Sequence, residues 1–140
     1  MGPSEVRIRM VAAPIHGADF DAITGISGAA GSLPAVGGVE GAGVVEEVGS
    51  AVQSLNKDDV VVPGVPSLGT WRTHLVAAED DLLRVPPAVA AETAATLGVG
   101  PCTALRILTD LYVLCIAGGA AARCFPLSLP LPYSQLALFL

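Results

Sequence analysis

Apolar and charged residues alternate over residues 6–13, with Val6, Ile8 and Met10 on one side and Arg7 and Arg9 on the other. A period of two predicts a half-buried strand, and Pro14 closes it. Residues 19–23 read as a short helical turn and 25–32 as a Gly- and Ala-rich loop. Residues 33–49, LPAVGGVEGAGVVEEVG, predict a Pro-bounded turn that runs into a strand. Its glycines at 41, 43 and 49 mark a kink of the kind found at barrel corners. Val44, Val45 and Val48 favour extended backbone, and Glu46 and Glu47 bring one end of the strand to water. Further on, 56–59 is a turn, 60–62 a short strand stopped by Pro63, 64–69 a loop, 70–78 a strand, 79–81 an acidic turn and 82–85 another strand. Short strands joined by Gly/Pro turns predict a mainly β fold, a small barrel or sandwich. After Pro86-Pro87 the pattern turns helical over 90–97, stopped by Gly98 and Gly100. Pro101 suits the first turn of a second helix reaching about Asp110.

One hundred and forty residues suffice for one domain with its own core. At 52% hydrophobic and 4% aromatic, that core must be built of Val, Ala and Leu. Thirteen acidic against seven basic residues exclude a nucleic-acid surface, which needs clustered Lys and Arg. The three cysteines show no CxxC spacing, which points to reduced thiols in an intracellular compartment. The opening residues form neither a signal peptide nor an Arg- and Ser-rich transit peptide.

Residues 111–140 carry a single charge, Arg123. A membrane span needs about 20 unbroken apolar residues, and Arg123, Pro126, Pro130 and Pro132 interrupt the run. Gly118-Gly119-Ala120 lacks the spacing of a dinucleotide turn. The expectation is an apolar tail that packs on the barrel or promotes association. The glycines before Val44 are not a dinucleotide fingerprint either. The third glycine of that motif would fall on Glu46, and the strand follows the glycines instead of preceding them.

The stretch GGVEGAGVVEEVGS resembles the glycine-rich signature of the GroES-like domain of medium-chain dehydrogenases/reductases. With VRIRMVAAPI, LGTWRTHLV and AATLGVGPCTALRIL, it resembles one branch, the mitochondrial trans-2-enoyl-thioester reductases, over residues 6–110. The resemblance implies a GroES-like, partly open β-barrel, incomplete, with two C-terminal helices and an irregular apolar tail. It implies residues 1–110 as the GroES-like part of a catalytic domain, and 111–140 as a non-homologous tail in place of a Rossmann domain. The implied activity is NADPH-dependent reduction of trans-2-enoyl thioesters, on acyl carrier protein or CoA, in mitochondrial fatty-acid synthesis by a homodimer. The chain alone is expected to be inactive and to bind no NADPH, leaving a sheet edge and apolar pocket surface open. A partner-binding remnant and a quinone reductase of the same superfamily are the other readings.

Several site residues follow from that resemblance. Zinc-binding relatives place a His directly before the Glu of the glycine motif; here Val39 stands there, four clustered cysteines are missing too, and no zinc is expected. Glu40 is then a buried carboxylate hydrogen-bonded to barrel backbone. The family's proton-donating Tyr corresponds to Ser27, a poorer acid than a phenol of pKa about 10 and more simply a loop hydrogen-bonder. The family's cofactor-contacting Asn corresponds to Gly100, while Pro101, Cys102 and Thr103 match. Thr103 is a candidate to line a cofactor cleft, and Cys102 reads as a small buried apolar residue. Trp71 is either a core anchor or a wall of the acyl pocket. His16 replaces an Asn; three residues before Asp19, it forms a pair that could titrate, or is simply a solvated loop histidine. His74 reads as a surface or edge residue.

Overall fold

The structure is a computed structural model and describes residues 1–26, 34–66 and 68–111. Five strands, β1 (Glu5–Ala12), β2 (Ala42–Val48), β3 (Val60–Pro63), β4 (His74–Ala78) and β5 (Leu82–Arg84), form one open sheet in the order β4-β1-β2-β3-β5. Every neighbouring pair is antiparallel. Helix α1 (Gly17–Thr24) joins the first two strands, and α2 (Ala91–Ala94) and α3 (Gly100–Arg106) follow the last. The mainly β, partly open architecture is therefore as expected.

The alternation in β1 places Val6 and Ile8 in the interior at 0% and 1% exposure. They join Val45, Leu55, Val61, Leu75, Ala77 and Leu82 in the main core. A second, smaller cluster of Ala42, Val85, Ala94 and Ala95 seats α2 against the sheet. The register of β1 on β2 slips between Arg7 and Ile8 and again between Met10 and Ala12. Gly43, opposite Met10, explains the tight approach: a Cβ there would lie 2.4 Å from Ile8 Cγ2 and 2.8 Å from the Arg9 carbonyl oxygen.

The polar face of the same strands carries a ladder of charge. Glu46 on β2 meets Arg9 at 3.4 Å, Arg7 at 3.7 Å and His74 at 3.3 Å, across β1 to the edge strand β4. These pairs are solvent-exposed and contribute little each. His74 is the edge residue that its alternation suggested.

Three element boundaries differ from the sequence reading. The strand expected over 70–78 begins only at His74, because the Thr70 and Trp71 N–H groups bond to Gly38 and Gly37 carbonyls instead of a neighbouring strand. The helix expected over 90–97 is regular only from Ala91 to Ala94; it has no side-chain cap and tightens into short-range turns at Thr96 and Leu97. The last helix gives way after Arg106 to a wider turn, Ile107–Leu111. The tail at 112–140 lies outside the described residues.

After β4 the acidic turn Glu79–Asp81 acts as a clasp. Glu79 Oε1 accepts from the Ser54 hydroxyl at 2.6 Å, the Gln53 N–H at 2.9 Å and the Ser54 N–H. The Ser54 hydroxyl, with the Ser54 and Gln53 N–H groups, holds this carboxyl below the usual carboxylate range. A group with a depressed folded pKa contributes stability above its unfolded value, about 4.3, and loses it as pH falls through the folded one. Amide exchange at Gln53 and Ser54 is therefore expected to accelerate relative to the core on acidification below about pH 4.3. In Glu79→Gln that acid-dependent step should be absent; its survival would exclude Glu79 as the cause.

Candidate functional site

The glycine turn and the segment before β4 are laced together. Gly38 sits at φ +96° and Gly69 at +71°, both in the region that favours glycine. The Trp71 N–H reaches the Gly37 carbonyl at 2.9 Å, the Thr70 N–H reaches that of Gly38 at 3.1 Å, and the buried Thr70 hydroxyl reaches the Glu40 carbonyl at 2.5 Å. The Trp71 ring then lies on Gly37, where a Cβ would come within 2.8 Å of Cε3. Its indole N–H meets the Pro14 carbonyl at 3.4 Å.

Trp71 remains 36% exposed, so the core-anchor reading fails. Instead it lines a hollow of about 230 Å³ with Met10, Val11, Ala12 and Thr70. A larger hollow, about 430 Å³, lies among Arg7, Arg9, Glu46, Glu47, Lys57 and Asp58, and holds none of the predicted site residues.

Glu40 ties this turn to the C-terminal helices. Its carboxylate is buried and accepts the Val99 N–H, 59 residues away, at the start of α3. The expected backbone hydrogen bond is therefore present, with the helix start as its donor in place of barrel backbone. Pro101 occupies the first turn of α3 as predicted. Gly100 is exposed, with open space where a Cβ would be, and Cys102 and Thr103 are half-buried. Glu40 thus brings Trp71, through Thr70, and α3, through Val99, to two sides of one carboxylate-bearing residue.

A second carboxylate works in the same way. Asp19 is 3% exposed and accepts from the His16 N–H at 2.9 Å with one oxygen and from the Val39 N–H at 3.1 Å with the other. His16 Nδ1 in turn accepts the Ala18 N–H at 3.2 Å, completing a reciprocal cap on α1. His16 is half-buried, not a solvated loop residue, because this cap draws the ring inward. Its Nε2 is buried with no hydrogen-bond partner. The large apolar residues of α1 point the other way: Phe20 is 61% and Ile23 68% exposed. Asp19→Asn keeps the shape but gives up one acceptor and the charge; a loss of about 1 kcal/mol in urea unfolding is expected. No change would mean that the Asp19 bridge carries nothing.

The sequence reading missed this cap, whose signal is a polar residue three before an acidic one; the reach to Val39 has no local signal. Ser27 lies outside the described residues. No group of His, Cys, Asp or Glu among the described residues is placed to hold a metal ion. None of their helices is long and apolar enough to cross a membrane.

Residues 2–87 match the alcohol dehydrogenase GroES-like domain. The mitochondrial enoyl-[acyl-carrier-protein] reductase of Bos taurus is 49% identical over 110 residues, which are 79% of this chain and 30% of that protein. The chain thus spans about a third of the length of such relatives. Among solved structures, the Etr1p complex with NADP and crotonyl-CoA superposes with a TM-score of 0.71 at 32% identity, over 79% of this chain and 36% of the other. An Escherichia coli quinone oxidoreductase complexed with NADPH superposes at 0.68 and 28% identity, over 79% of this chain and 33% of the other.

Proposed function

This chain belongs to the alcohol dehydrogenase GroES-like domain family, and we propose on that basis that it supplies the acyl-binding side of a trans-2-enoyl thioester reductase. The observation that carries the proposal is the double link at Glu40, which holds the Trp71 wall and the start of α3 in fixed relation. Trp71 offers an exposed aromatic face beside a small hollow, the surface an apolar acyl chain packs against. Thr103 adds a half-buried hydroxyl on α3. The thioester arrives on acyl carrier protein or CoA. Mitochondrial residence and pairing with a second copy belong to the same proposal, as does the assignment of residues 1–110 to this role.

The relatives solved with NADP and NADPH imply a nicotinamide dinucleotide. At the positions the resemblance gives to it, Gly100 has no side chain to bond with, and Thr103 contributes a single half-buried hydroxyl. On this reading Gly100 and Thr103 keep the cofactor side that the resemblance gives them, and Trp71 the substrate side. The 140-residue chain by itself is expected to give no crotonyl-thioester-dependent oxidation of NADPH.

The deciding experiment grafts residues 1–110 in place of the matching segment of the Bos taurus relative and follows NADPH absorbance. Slow, saturable oxidation with crotonyl-CoA and none with a quinone is expected. Turnover of the quinone alone would establish the quinone reductase reading. No turnover of either, even with Ser27→Tyr and Gly100→Asn in place, would leave the partner-binding reading.

A further inference from the structure

The edge of a sheet presents unpaired N–H and carbonyl groups, a template on which another chain can pair. Here the edges are β5 and β4. β5 is three residues long and is followed, after Val85, by Pro86-Pro87; shortness and proline both blunt an edge. β4 is five residues long, HLVAA, with neither proline nor lysine. Among the described residues no strand lies beyond it.

The register shows which groups are bare. Antiparallel strands bond through alternate residues. At one end of β4 the Met10 N–H donates to the Thr73 carbonyl at 2.9 Å, and at the other the Glu79 N–H donates to that of Ser4 at 3.0 Å. Between them Leu75 lies opposite Ile8 and Ala77 opposite Val6. The backbone groups of Leu75 and Ala77 therefore face β1, and those of His74, Val76 and Ala78 face outward along the edge. Leu75 and Ala77 place their side chains in the core, while Val76 is 48% exposed. The two ends of the strand differ in charge. Exposed Arg72 precedes it, and the acidic turn Glu79–Asp81, with Asp80 exposed, follows.

We infer that the chain pairs with a second copy of itself through the β4 edge, continuing the sheet across a two-fold axis at Val76. Val76 then lies opposite the partner's Val76, and His74 opposite the partner's Ala78, so every bare group named above meets a counterpart. The antiparallel arrangement brings Arg72 towards the partner's Asp80 at both ends. A parallel pair in register would bring like charges together. The contact is small, so the pair is weak and forms only at high protein concentration. This edge gives a surface to the pairing with a second copy proposed above; the acyl assignment plays no part in it.

Sedimentation equilibrium of the full 140-residue chain over a concentration series, with amide exchange on the same samples, tests the inference. A monomer–dimer equilibrium is expected. Exchange at His74, Val76 and Ala78 should slow as the dimer forms, while Leu75 and Ala77, already bonded to β1, stay unchanged. Val76→Lys sets two ammonium groups face to face at the axis and should weaken dimerisation about tenfold. Val76→Thr keeps an uncharged strand former and should not. Arg72→Asp and Asp80→Arg should each weaken self-pairing, and mixing the two should restore it, because opposite charges then meet at both ends of the mixed pair. A chain that stays monomeric overturns the inference. So does association that Val76→Lys leaves unmoved, or a mixture of the charge variants that pairs no better than its parts. None of these results bears on the acyl site, which the graft assay decides by itself.

Discussion

Grafted into the Bos taurus relative, residues 1–110 are expected to reduce crotonyl-CoA about 10²–10⁴-fold faster with Ser27→Tyr than with Ser27. Adding hydride to the β-carbon of an enoyl thioester leaves an enolate whose α-carbon must take a proton. A positioned acid supplies that proton within the site, and such help contributes about 10²–10⁴-fold, or about 2.7–5.4 kcal/mol. A phenol, with pKa about 10, is a far better acid than an aliphatic hydroxyl, and it reaches further into a pocket. The resemblance places the family's Tyr at this position, and the chain has Ser there. The same substitution in the 140-residue chain alone should restore nothing, because orienting the two reactants accounts for about 7–11 kcal/mol of such barriers. Equal rates for the Ser27 and Tyr grafts would show that another group, or water, supplies the proton.

The second large effect concerns the turn that carries Trp71. Gly38→Ala is expected to destabilise the chain by about 2–5 kcal/mol, combining about 1–2 for a side chain in left-handed backbone with about 1–3 for overpacking. The added Cβ would lie 2.3 Å from Thr70 Oγ1, 2.6 Å from Trp71 Cδ1 and 2.8 Å from the Trp71 backbone nitrogen. None of these is free to retreat. The Trp71 N–H is bonded to Gly37, the Thr70 N–H to Gly38 itself, and the Thr70 hydroxyl to Glu40. Against a typical domain stability of about 5–15 kcal/mol, the loss is large. Gly17→Ala is the control: its Cβ would meet nothing within 4 Å, and its effect should be within about 1 kcal/mol. Urea unfolding of both variants checks the pair, and equal midpoints would mean that the turn yields more easily than its bonds indicate.

The strands were largely legible because their signals are local. Val6 and Ile8 alternate with Arg7 and Arg9, and the structure buries the first pair and exposes Arg9. What escaped is long-range. That Thr70 and Trp71 leave the strand follows from bonds to glycines more than thirty residues earlier. Glu40 was expected to bond to backbone, yet its partner at Val99 is 59 residues on and no spacing rule reaches it. Helix α1 inverts the usual pattern. A burial argument would turn Phe20 and Ile23 inward, but the helix is fixed by the cap at His16 and the Asp19–Val39 bond, so the carboxylate is inside. Ser27, at the position of the family's Tyr, was reached through resemblance alone.

The sheet order has a consequence during synthesis. β1 is made first, yet it lies between β2 and β4, and its outer partner ends only at Ala78. At about 5–20 residues per second, the 66 residues from Ala12 to Ala78 take the ribosome about 3–13 s. Through that interval the residues that β4 will pair with, Glu5 to Arg9, have no partner on that side, even after β2 has emerged on the other. Arg7 and Arg9 lie on that edge. Charged side chains are how natural sheets keep an edge from pairing with other chains. The two arginines whose ion pairs add little to the finished fold thus lie on the stretch of β1 that waits longest for its partner.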